Sequence, residues 1–204
     1  MTLRSFAIIP AAGRSERMGS PKLLLPWGES TIMETVLAAW RAGGVERIVV
    51  TVHPDDRELA ELCRNRGADI VVPLLPPPDM QASVLAGLQS IEAQYAPVAA
   101  DAWLLAPADL PHLSAEIIDR LLREHALSPD RILVPVLAGR RGHPVLFPWS
   151  WAEQATRLPN NVGLNSLLTG EAVREVAFPN VILDDDVDTP DDYERLKNRH
   201  NRAN

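Results

Sequence analysis

Residues 6–25 read Phe-Ala-Ile-Ile-Pro-Ala-Ala-Gly-Arg-Ser-Glu-Arg-Met-Gly-Ser-Pro-Lys-Leu-Leu-Leu, an apolar segment that runs into a loop of small and basic residues. The run Phe6–Ile9 predicts a buried strand. Ala11, Ala12 and Gly13 are too small to keep another molecule away from the backbone, and glycine permits backbone angles that other residues resist. The stretch therefore predicts a strand followed by a ligand-binding loop.

Three cations, Arg14, Arg17 and Lys22, stand in the same loop. Together with exposed backbone N–H groups they favour an anion such as a polyphosphate. A P-loop is excluded, because it needs four residues between its glycines and five separate Gly13 from Gly19. A dinucleotide loop is excluded, because Gly13 has no glycine partner at the Gly-x-Gly-x-x-Gly spacing. The alternative is an ordinary basic loop between a strand and a helix, without a ligand-binding role.

The pattern Ala11-Ala12-Gly13-x-x-x-Arg17-Met18-Gly19-x-x-Lys22 resembles the signature of nucleotidyltransferases that activate sugar phosphates and molybdopterin. The resemblance is closest to the MobA-like branch typified by molybdenum cofactor cytidylyltransferases. It implies a loop that wraps a nucleoside triphosphate, with Arg17 and Lys22 as catalytic, phosphate-binding residues. It also implies nucleotide contacts from the backbone of Ala11, Ala12 and Gly13, and Arg14 is expected to bind the nucleotide as a cation of the same loop. Residues 11–13 are Ala-Ala-Gly rather than the Ala-Gly-Gly of the guanylyl branch, so the resemblance favours CTP.

Composition limits the classes of protein to consider. The chain has 204 residues, of which 46% are hydrophobic, and this predicts one domain over residues 1–204. A formal charge of −7 argues against nucleic acid or an anionic membrane as partner. Cys63 is the only cysteine, so no internal disulfide or thiolate metal cluster is expected. The N-terminus leads directly into a strand without a targeting signal, and we expect a cytoplasmic location.

Strand and helix patterns alternate along the chain. Thr31-x-x-Glu34 predicts a capping box for the first helix, Asp55 and Glu58 are expected to cap the second, and Thr189 is expected to cap the last. The segment 181–183 predicts a late short strand. Alternation of this kind predicts an α/β fold with a mostly parallel sheet, and the resemblance implies the three-layer α/β/α Rossmann-like nucleotidyltransferase fold. Ligands then bind beyond the carboxyl ends of the strands.

Asp109 follows the apolar run Asp101–Ala106 and is expected at such a strand end. Magnesium commonly takes one or two protein carboxylates and completes its shell with water and phosphates. An aspartate in a turn before Leu-Pro is an equally good reading on position alone. The resemblance favours the first reading, because the segment is similar to the metal-binding Asp-x-Pro step of the family, and it implies a catalytic, magnesium-binding role for Asp109.

A run of four acids, residues 184–188, precedes the last predicted helix. Acids near a helix N-terminus are stabilised by about 0.3–1 kcal/mol each, so most of them need no functional explanation. The family has a similar Asp-x-Asp-Thr-Pro segment whose second aspartate helps to hold the metal. The resemblance therefore implies Asp188 as the second metal ligand, with Asp186 as a weaker candidate.

Residues 79–88 resemble the base-reading segment of the family, Gly-Met-x-x-Ser-Leu-x-x-Gly-Leu. The resemblance implies that Ser83 contacts the base of the nucleotide. A serine hydrogen-bonded within its own helix is the structural alternative. Asp79 stands where the family segment has glycine, so the segment does not identify the base.

The acceptor side carries fewer markers. Gly142-His143-Pro144 is similar to a segment that lines the acceptor in the molybdopterin branch, which implies His143 as an acceptor-binding residue. Relatives usually carry Gly-Asp-x-Gly-Ala-Arg further on, whereas residues 160–165 read Asn-Asn-Val-Gly-Leu-Asn. The sequence therefore carries more family markers for the nucleotide than for the acceptor.

The sequence predicts a magnesium-dependent nucleotidyltransferase that transfers CMP from CTP to a phosphorylated small-molecule acceptor of the molybdopterin type. One alternative is the same chemistry on a sugar or polyol phosphate. Another is a nucleotide-binding module of molybdoenzyme assembly without turnover, which the altered segment 160–165 suggests. A molybdoenzyme is a candidate protein partner, both for the enzyme and for the assembly module.

Overall fold

The computed structural model describes residues 3–159, 162–179 and 186–203. Ten strands and six α-helices alternate along these ranges, together with short 3-10 helices. The strands are β1 (Ser5–Ala11), β2 (Pro26–Trp27), β3 (Ser30–Thr31), β4 (Arg47–Val52), β5 (Asp69–Val71), β6 (Ala102–Leu105), β7 (Ile132–Leu137), β8 (Arg140–Arg141), β9 (Val145–Pro148) and β10 (Val173–Phe178). The helices are α1 (Ile32–Ala42), α2 (Arg57–Asn65), α3 (Met80–Tyr95), α4 (Ala115–Leu127), α5 (Ala152–Thr156) and α6 (Pro190–Ala203).

Eight strands form one sheet in the order β10-β7-β9-β6-β1-β4-β5, with β8 paired to β7. Strand β1 is central and pairs in parallel with β4 on one side and with β6 on the other. Strand β9 is antiparallel to both of its neighbours, and the two-residue strands β2 and β3 form a separate hairpin. The carboxyl ends of β1, β4 and β6 therefore lie side by side at one edge of the sheet.

Helices cover both faces of the sheet. Successive side chains of β1 pack alternately against the helices on one face and on the other. Ala7 and Ile9 pack into one hydrophobic cluster with α1, α2, α4 and α6, whereas Phe6 and Ile8 pack into a second cluster with α3 and α5. All four side chains are fully buried. A strand buried on both faces is continuously apolar, which is the pattern that the sequence shows. The three-layer α/β/α fold with a mostly parallel sheet is confirmed.

Local sequence signals set several helix ends. The predicted capping box is present: Thr31 Oγ1 accepts from the backbone N–H of Glu34, and the Glu34 carboxylate accepts from that of Thr31. Helix α2 begins differently from the prediction, since its cap is Asp56, whose Oδ1 accepts from the N–H of Leu59 at 3.1 Å. The neighbouring Asp55 instead forms an exposed ion pair with Arg14.

Helix α3 approaches the central strand closely at Gly87. A Cβ at that position would lie 3.0 Å from Cγ2 of Ile8, so glycine allows the helix to pack directly on β1. This contact places the first turn of α3 near the carboxyl end of the sheet.

The strands near the C-terminus differ from those expected from the sequence. The strand expected at residues 181–183 lies outside the described residues. Strand β10, which pairs in parallel with β7, was not predicted, because only two of its six residues are buried and its pattern is weak. Within the described ranges, no helix is long and apolar enough to cross a membrane.

Candidate active site

A cleft of about 500 Å³ opens at the carboxyl ends of β1, β4 and β6. The loop after β1 forms one wall, and the segment 76–80, which leads into α3, forms another. His53 directly follows β4 and Asp109 closely follows β6, and both line the cleft. The strand order therefore assembles the cleft from segments that are distant in sequence, as expected for ligand sites in open α/β sheets.

The loop after β1 leaves its backbone open to the cleft. A Cβ on Gly13 would meet no heavy atom within 4 Å, so the space beside this residue is available to a ligand. Gly19 has a φ of +64°, a conformation that side chains disfavour, and it turns the chain between two short 3-10 helices. The second of these, Lys22–Leu24, directs Lys22 into the cleft while Leu23 is buried beneath it.

Lys22 lies at the centre of a cluster of charges. Its Nζ donates hydrogen bonds to Asp109 Oδ2 at 2.6 Å, to the carbonyl of Val187 at 2.9 Å and to Asp188 Oδ1 at 3.3 Å. Arg17 forms an ion pair with Asp188 Oδ2 at 3.0 Å. The side chains of Lys22 and Asp109 are each 16% exposed, whereas that of Arg17 is 70% exposed. The structure thus brings two loop cations and two distant aspartates together.

The carboxylates of this cluster suit a divalent cation. Asp109, Asp186 and Asp188 each offer an oxygen, and these three atoms lie within 4.8 Å of one another. The backbone N–H of Val187 donates to the carbonyl of Asp109 at 3.1 Å and fixes the two segments together. Asp109 Oδ1 is buried without a hydrogen-bond partner among the described residues. A buried carboxylate oxygen without a donor is costly unless a ligand satisfies it, and hard oxygen donors are those that Mg²⁺ and Mn²⁺ prefer.

Arg14 lines the opposite side of the loop and contacts His53 and Asp55. Its Nε lies 3.2 Å from His53 Nε2, and its guanidinium lies 3.3 Å from Asp55 Oδ2. The other ring nitrogen of His53 faces the backbone N–H of Asp55 at 3.1 Å. A neutral imidazole accepts at one nitrogen only, so these two donors compete for the ring. Arg14 is 60% exposed and is therefore weakly held, which leaves it free to turn towards an anion.

Ser83 lies at the cleft but its hydroxyl is already in use. The side chain is buried, Oγ donates to the carbonyl of Asp79 at 3.2 Å, and the Ser83 carbonyl accepts from Thr51 Oγ1 at 2.8 Å. Asp79 caps α3 through Oδ1, which accepts from the N–H of Ala82 at 2.7 Å. The local hydrogen bonding that the sequence left as an alternative is therefore present at Ser83.

His143 is not among the residues that line the cleft, although it lies near the carboxylates. Burial lowers the pKa of His143 below its ordinary value, while its hydrogen bond to the Leu105 backbone and the charges of Asp109 and Asp186 act in the opposite direction. Its Nδ1 is buried without a partner among the described residues. The structure therefore places His143 behind the cleft lining.

Cys63 has no part in the cleft. It is buried on α2, and burial raises the pKa of its thiol to about 12, so it is a packing residue rather than a nucleophile. Of the altered segment 160–165, the first two asparagines lie outside the described residues.

Comparison with known proteins identifies the family. The model of the MobA-like NTP transferase domain matches residues 7–176, which contain the loop after β1, the segment 79–88 and Asp109. The chain belongs to the MobA-like NTP transferase family. Its MobA-like relatives include the molybdenum cofactor cytidylyltransferase of Escherichia coli (strain K12), which is 30% identical over 195 residues and 95% of each chain. A probable molybdenum cofactor guanylyltransferase of Bacillus mycoides is 30% identical over 66% of this chain and 62% of its own length.

Solved structures of a similar protein match the whole fold. The crystal structure of Rv0371c from Mycobacterium tuberculosis H37Rv has a TM-score of 0.79 and 28% identity, and the match covers 97% of this chain and 99% of the other. The same protein has been crystallised in complex with manganese, with a TM-score of 0.72, 27% identity and coverage of 96% and 98%. Relatives and structure together show that the chain is a nucleotidyltransferase of the MobA-like type.

His53 and the prolines 76–78, which line this MobA-like cleft, were not among the predicted site residues. The rule that placed Asp109 at the carboxyl end of β6 applies equally to His53, which directly follows β4. That signal was therefore present in the sequence. No comparable signal marks the prolines, which line the cleft because the segment that connects β5 to α3 passes there.

Proposed function

We propose that this nucleotidyltransferase transfers CMP from CTP to a phosphorylated acceptor of the molybdopterin type and releases pyrophosphate. The observation that carries the proposal is the position of Lys22 Nζ, within 3.3 Å of both Asp109 and Asp188 at the open phosphate loop. Cations that bind phosphates and carboxylates that bind a metal are needed side by side for transfer at a triphosphate. The similarity to the E. coli cytidylyltransferase over 95% of both chains supports CTP and the acceptor.

The reaction requires an oxygen of the acceptor phosphate to attack the α-phosphorus of the triphosphate in line. A new P–O bond forms, the bond between the α-phosphorus and the bridging oxygen breaks, and pyrophosphate leaves with the electron pair. In this reaction the protein need not form a covalent bond with either substrate. We propose that residues 11–13 bind the triphosphate through backbone N–H groups, while Arg14, Arg17 and Lys22 offset the charge on its oxygens.

We propose that Asp109 and Asp188, aided by Asp186, hold the Mg²⁺ that accompanies the triphosphate. The ion supplies Lewis-acid stabilisation of phosphate charge when bound. Lys22 now donates to the same carboxylates, so a triphosphate that accepts its hydrogen bonds frees Asp109 Oδ2 and Asp188 Oδ1 for the cation. The manganese complex of Rv0371c supports a divalent ion in this fold.

The remaining assignments are part of the same proposal. We propose one nucleotidyltransferase domain over residues 1–204, a base contact from Ser83 and an acceptor contact from His143. Because His143 does not line the cleft, its contact requires the acceptor to reach beyond the lining residues. A molybdoenzyme as partner and a cytoplasmic location stay predictions.

The test is a screen for pyrophosphate release. The full chain is incubated with Mg²⁺, each of the four common ribonucleoside triphosphates, and either molybdopterin or a panel of sugar and polyol phosphates. Release with CTP and molybdopterin is the expected result. Release with a sugar or polyol phosphate alone would replace the acceptor, and binding of CTP without release for any acceptor would favour an assembly module.

A further inference from the structure

Asp79 carries a carboxylate oxygen that the fold does not use. Its Oδ1 caps α3 by accepting from the N–H of Ala82 at 2.7 Å, but no described residue makes a hydrogen bond or ion pair with Oδ2. The residue is exposed and lines the cleft. A cap needs only one oxygen, which serine or asparagine supplies equally well. Capping therefore accounts for Oδ1 of Asp79 but not for Oδ2.

The cleft has two chemically different ends. Arg17 and Lys22 lie with the carboxylates at one end, where phosphates and their metal bind under the proposed function. The other end is formed by the prolines 76–78 and by Met80, which offer apolar surface suited to a planar base. A nucleotide with its phosphates on Lys22 therefore directs its base towards Asp79.

Few polar side-chain atoms are available at the base end. The hydroxyl of Ser83 is engaged by the carbonyl of Asp79 at 3.2 Å, and the segment 76–78 consists of prolines, which have no N–H to donate. Among the described side chains that line this end, Asp79 Oδ2 is thus the oxygen that has no hydrogen-bond partner. A carboxylate is an acceptor only, so it selects for a donor.

We infer that Asp79 is a specificity-determining residue that accepts a hydrogen bond from the exocyclic amino group of the base. This inference rests on the proposed function and deepens it. Aspartate accepts from the N4 amino group of cytosine, whereas the O4 of uracil in the same place sets an acceptor against the carboxylate. The site therefore favours CTP over UTP. For a purine the same oxygen favours guanine, with its amino group, over hypoxanthine.

The charge of Asp79 supports a recognition role. A negative side chain in a cleft for a polyanion opposes binding unless a donor on the ligand compensates it. Serine at this position would cap α3 without that repulsion. The carboxylate weakens the binding of every triphosphate by charge repulsion. A base with an amino group offsets this effect by donating a hydrogen bond to it.

The test measures binding, so that it needs no acceptor. The full chain with Mg²⁺ is titrated by calorimetry with CTP and UTP and with GTP and ITP, as wild type and as Asp79→Asn. Asparagine keeps the capping oxygen and places an N–H₂ donor where Oδ2 was. Asp79→Ser is the matched control that keeps the cap and removes the second polar atom, and equal melting temperatures verify the cap in both variants.

If the substrate is a pyrimidine nucleotide, we expect the wild type to bind CTP about tenfold more tightly than UTP. If it is a purine nucleotide, we expect the same ratio for GTP over ITP. In Asp79→Asn and Asp79→Ser this ratio falls to near one. An unchanged ratio in both variants would overturn the inference and leave the nucleotidyltransferase proposal standing, as would a wild type that prefers UTP to CTP. A wild type that binds none of the four triphosphates would overturn the proposed function, and the inference with it.

Discussion

Two ion pairs, Arg4–Asp101 and Lys22–Asp109, each join residues that are far apart in sequence by a contact of 2.6 Å, yet they differ in completeness. The side chain of Asp101 is 2% exposed, and both of its oxygens accept hydrogen bonds. Oδ1 accepts from the backbone of Arg4, and Oδ2 accepts from the Arg4 guanidinium and from the N–H of Val98. The guanidinium also donates to two carbonyls at the end of α3.

The Lys22–Asp109 pair at the cleft is less completely hydrogen-bonded than the Arg4–Asp101 pair. Asp109 Oδ1 has no partner among the described residues, and Lys22 divides its hydrogen bonds among three acceptors. A fully satisfied pair gains nothing from a ligand, whereas an incomplete one leaves atoms for a ligand to satisfy. The first pair therefore holds β1 and β6 to the end of α3, and the second is available for chemistry.

Asp109→Ala gives the largest expected effect. We expect turnover to fall by at least about 1000-fold, because the variant loses the proposed metal ligand next to the triphosphate. The melting temperature should stay close to that of the wild type, since Lys22 keeps Asp188 and the Val187 carbonyl. Pyrophosphate release and calorimetry measure the two quantities. Asp191→Ala, an exposed acid on α6, is the control, and an active Asp109→Ala variant would remove the metal argument.

Asp101→Ala should produce the reverse pattern. Removing one partner of a buried ion pair leaves the Arg4 side chain and two N–H groups without their acceptor, and we expect a loss of about 3 kcal/mol in the free energy of unfolding. The folded variant should keep its rate of pyrophosphate release. Urea denaturation and an assay at low temperature test both points. A stable but inactive variant would show that the two pairs do not divide structure and function as described.

Lys22→Met should separate metal binding from turnover. We expect turnover to fall by about 100-fold through loss of a phosphate contact, while the nucleotide-free protein binds Mn²⁺ about tenfold more tightly, because no ammonium competes for Asp109. Electron paramagnetic resonance titration of Mn²⁺ measures the second effect. Lys197→Met, on α6, is the charge-matched control. Weaker Mn²⁺ binding in Lys22→Met would contradict the exchange of hydrogen bonds that we propose.

The smallest effect concerns acid stability. Burial raises the pKa of Asp101, but the hydrogen bonds from Val98 and Arg4 and the Arg4 charge outweigh it and hold the pKa below the ordinary value of 3.8. A lowered pKa in the folded state contributes stability that is present above the unfolded value and lost as the pH falls through the folded one. The difference in unfolding free energy between wild type and Asp101→Asn should therefore be constant from pH 7 to pH 5 and shrink below about pH 4. A difference that stays constant down to pH 3 would show that the Asp101 charge is not its source.

The parts of the fold that were predictable are those with local causes. The apolar run before Ala11 specified β1, and the capping box at Thr31 specified the start of α1, because each signal depends on neighbouring residues. The cap of α2 was misplaced by one residue, since Asp55 and Asp56 are equally good caps and only the tertiary contact of Asp55 with Arg14 distinguishes them. Strand β10 was missed because its pattern is mostly exposed.

A loop of small residues with three cations and an alternating α/β pattern can be read from the chain alone, because composition and spacing act over a few residues. The contacts of Lys22 with Asp109, 87 residues away, and with Asp188, 166 residues away, depend on the folded arrangement. Spacing along a chain does not state which strands become neighbours. The order β6-β1-β4 does, and it brings three carboxyl ends and their polar residues to one cleft.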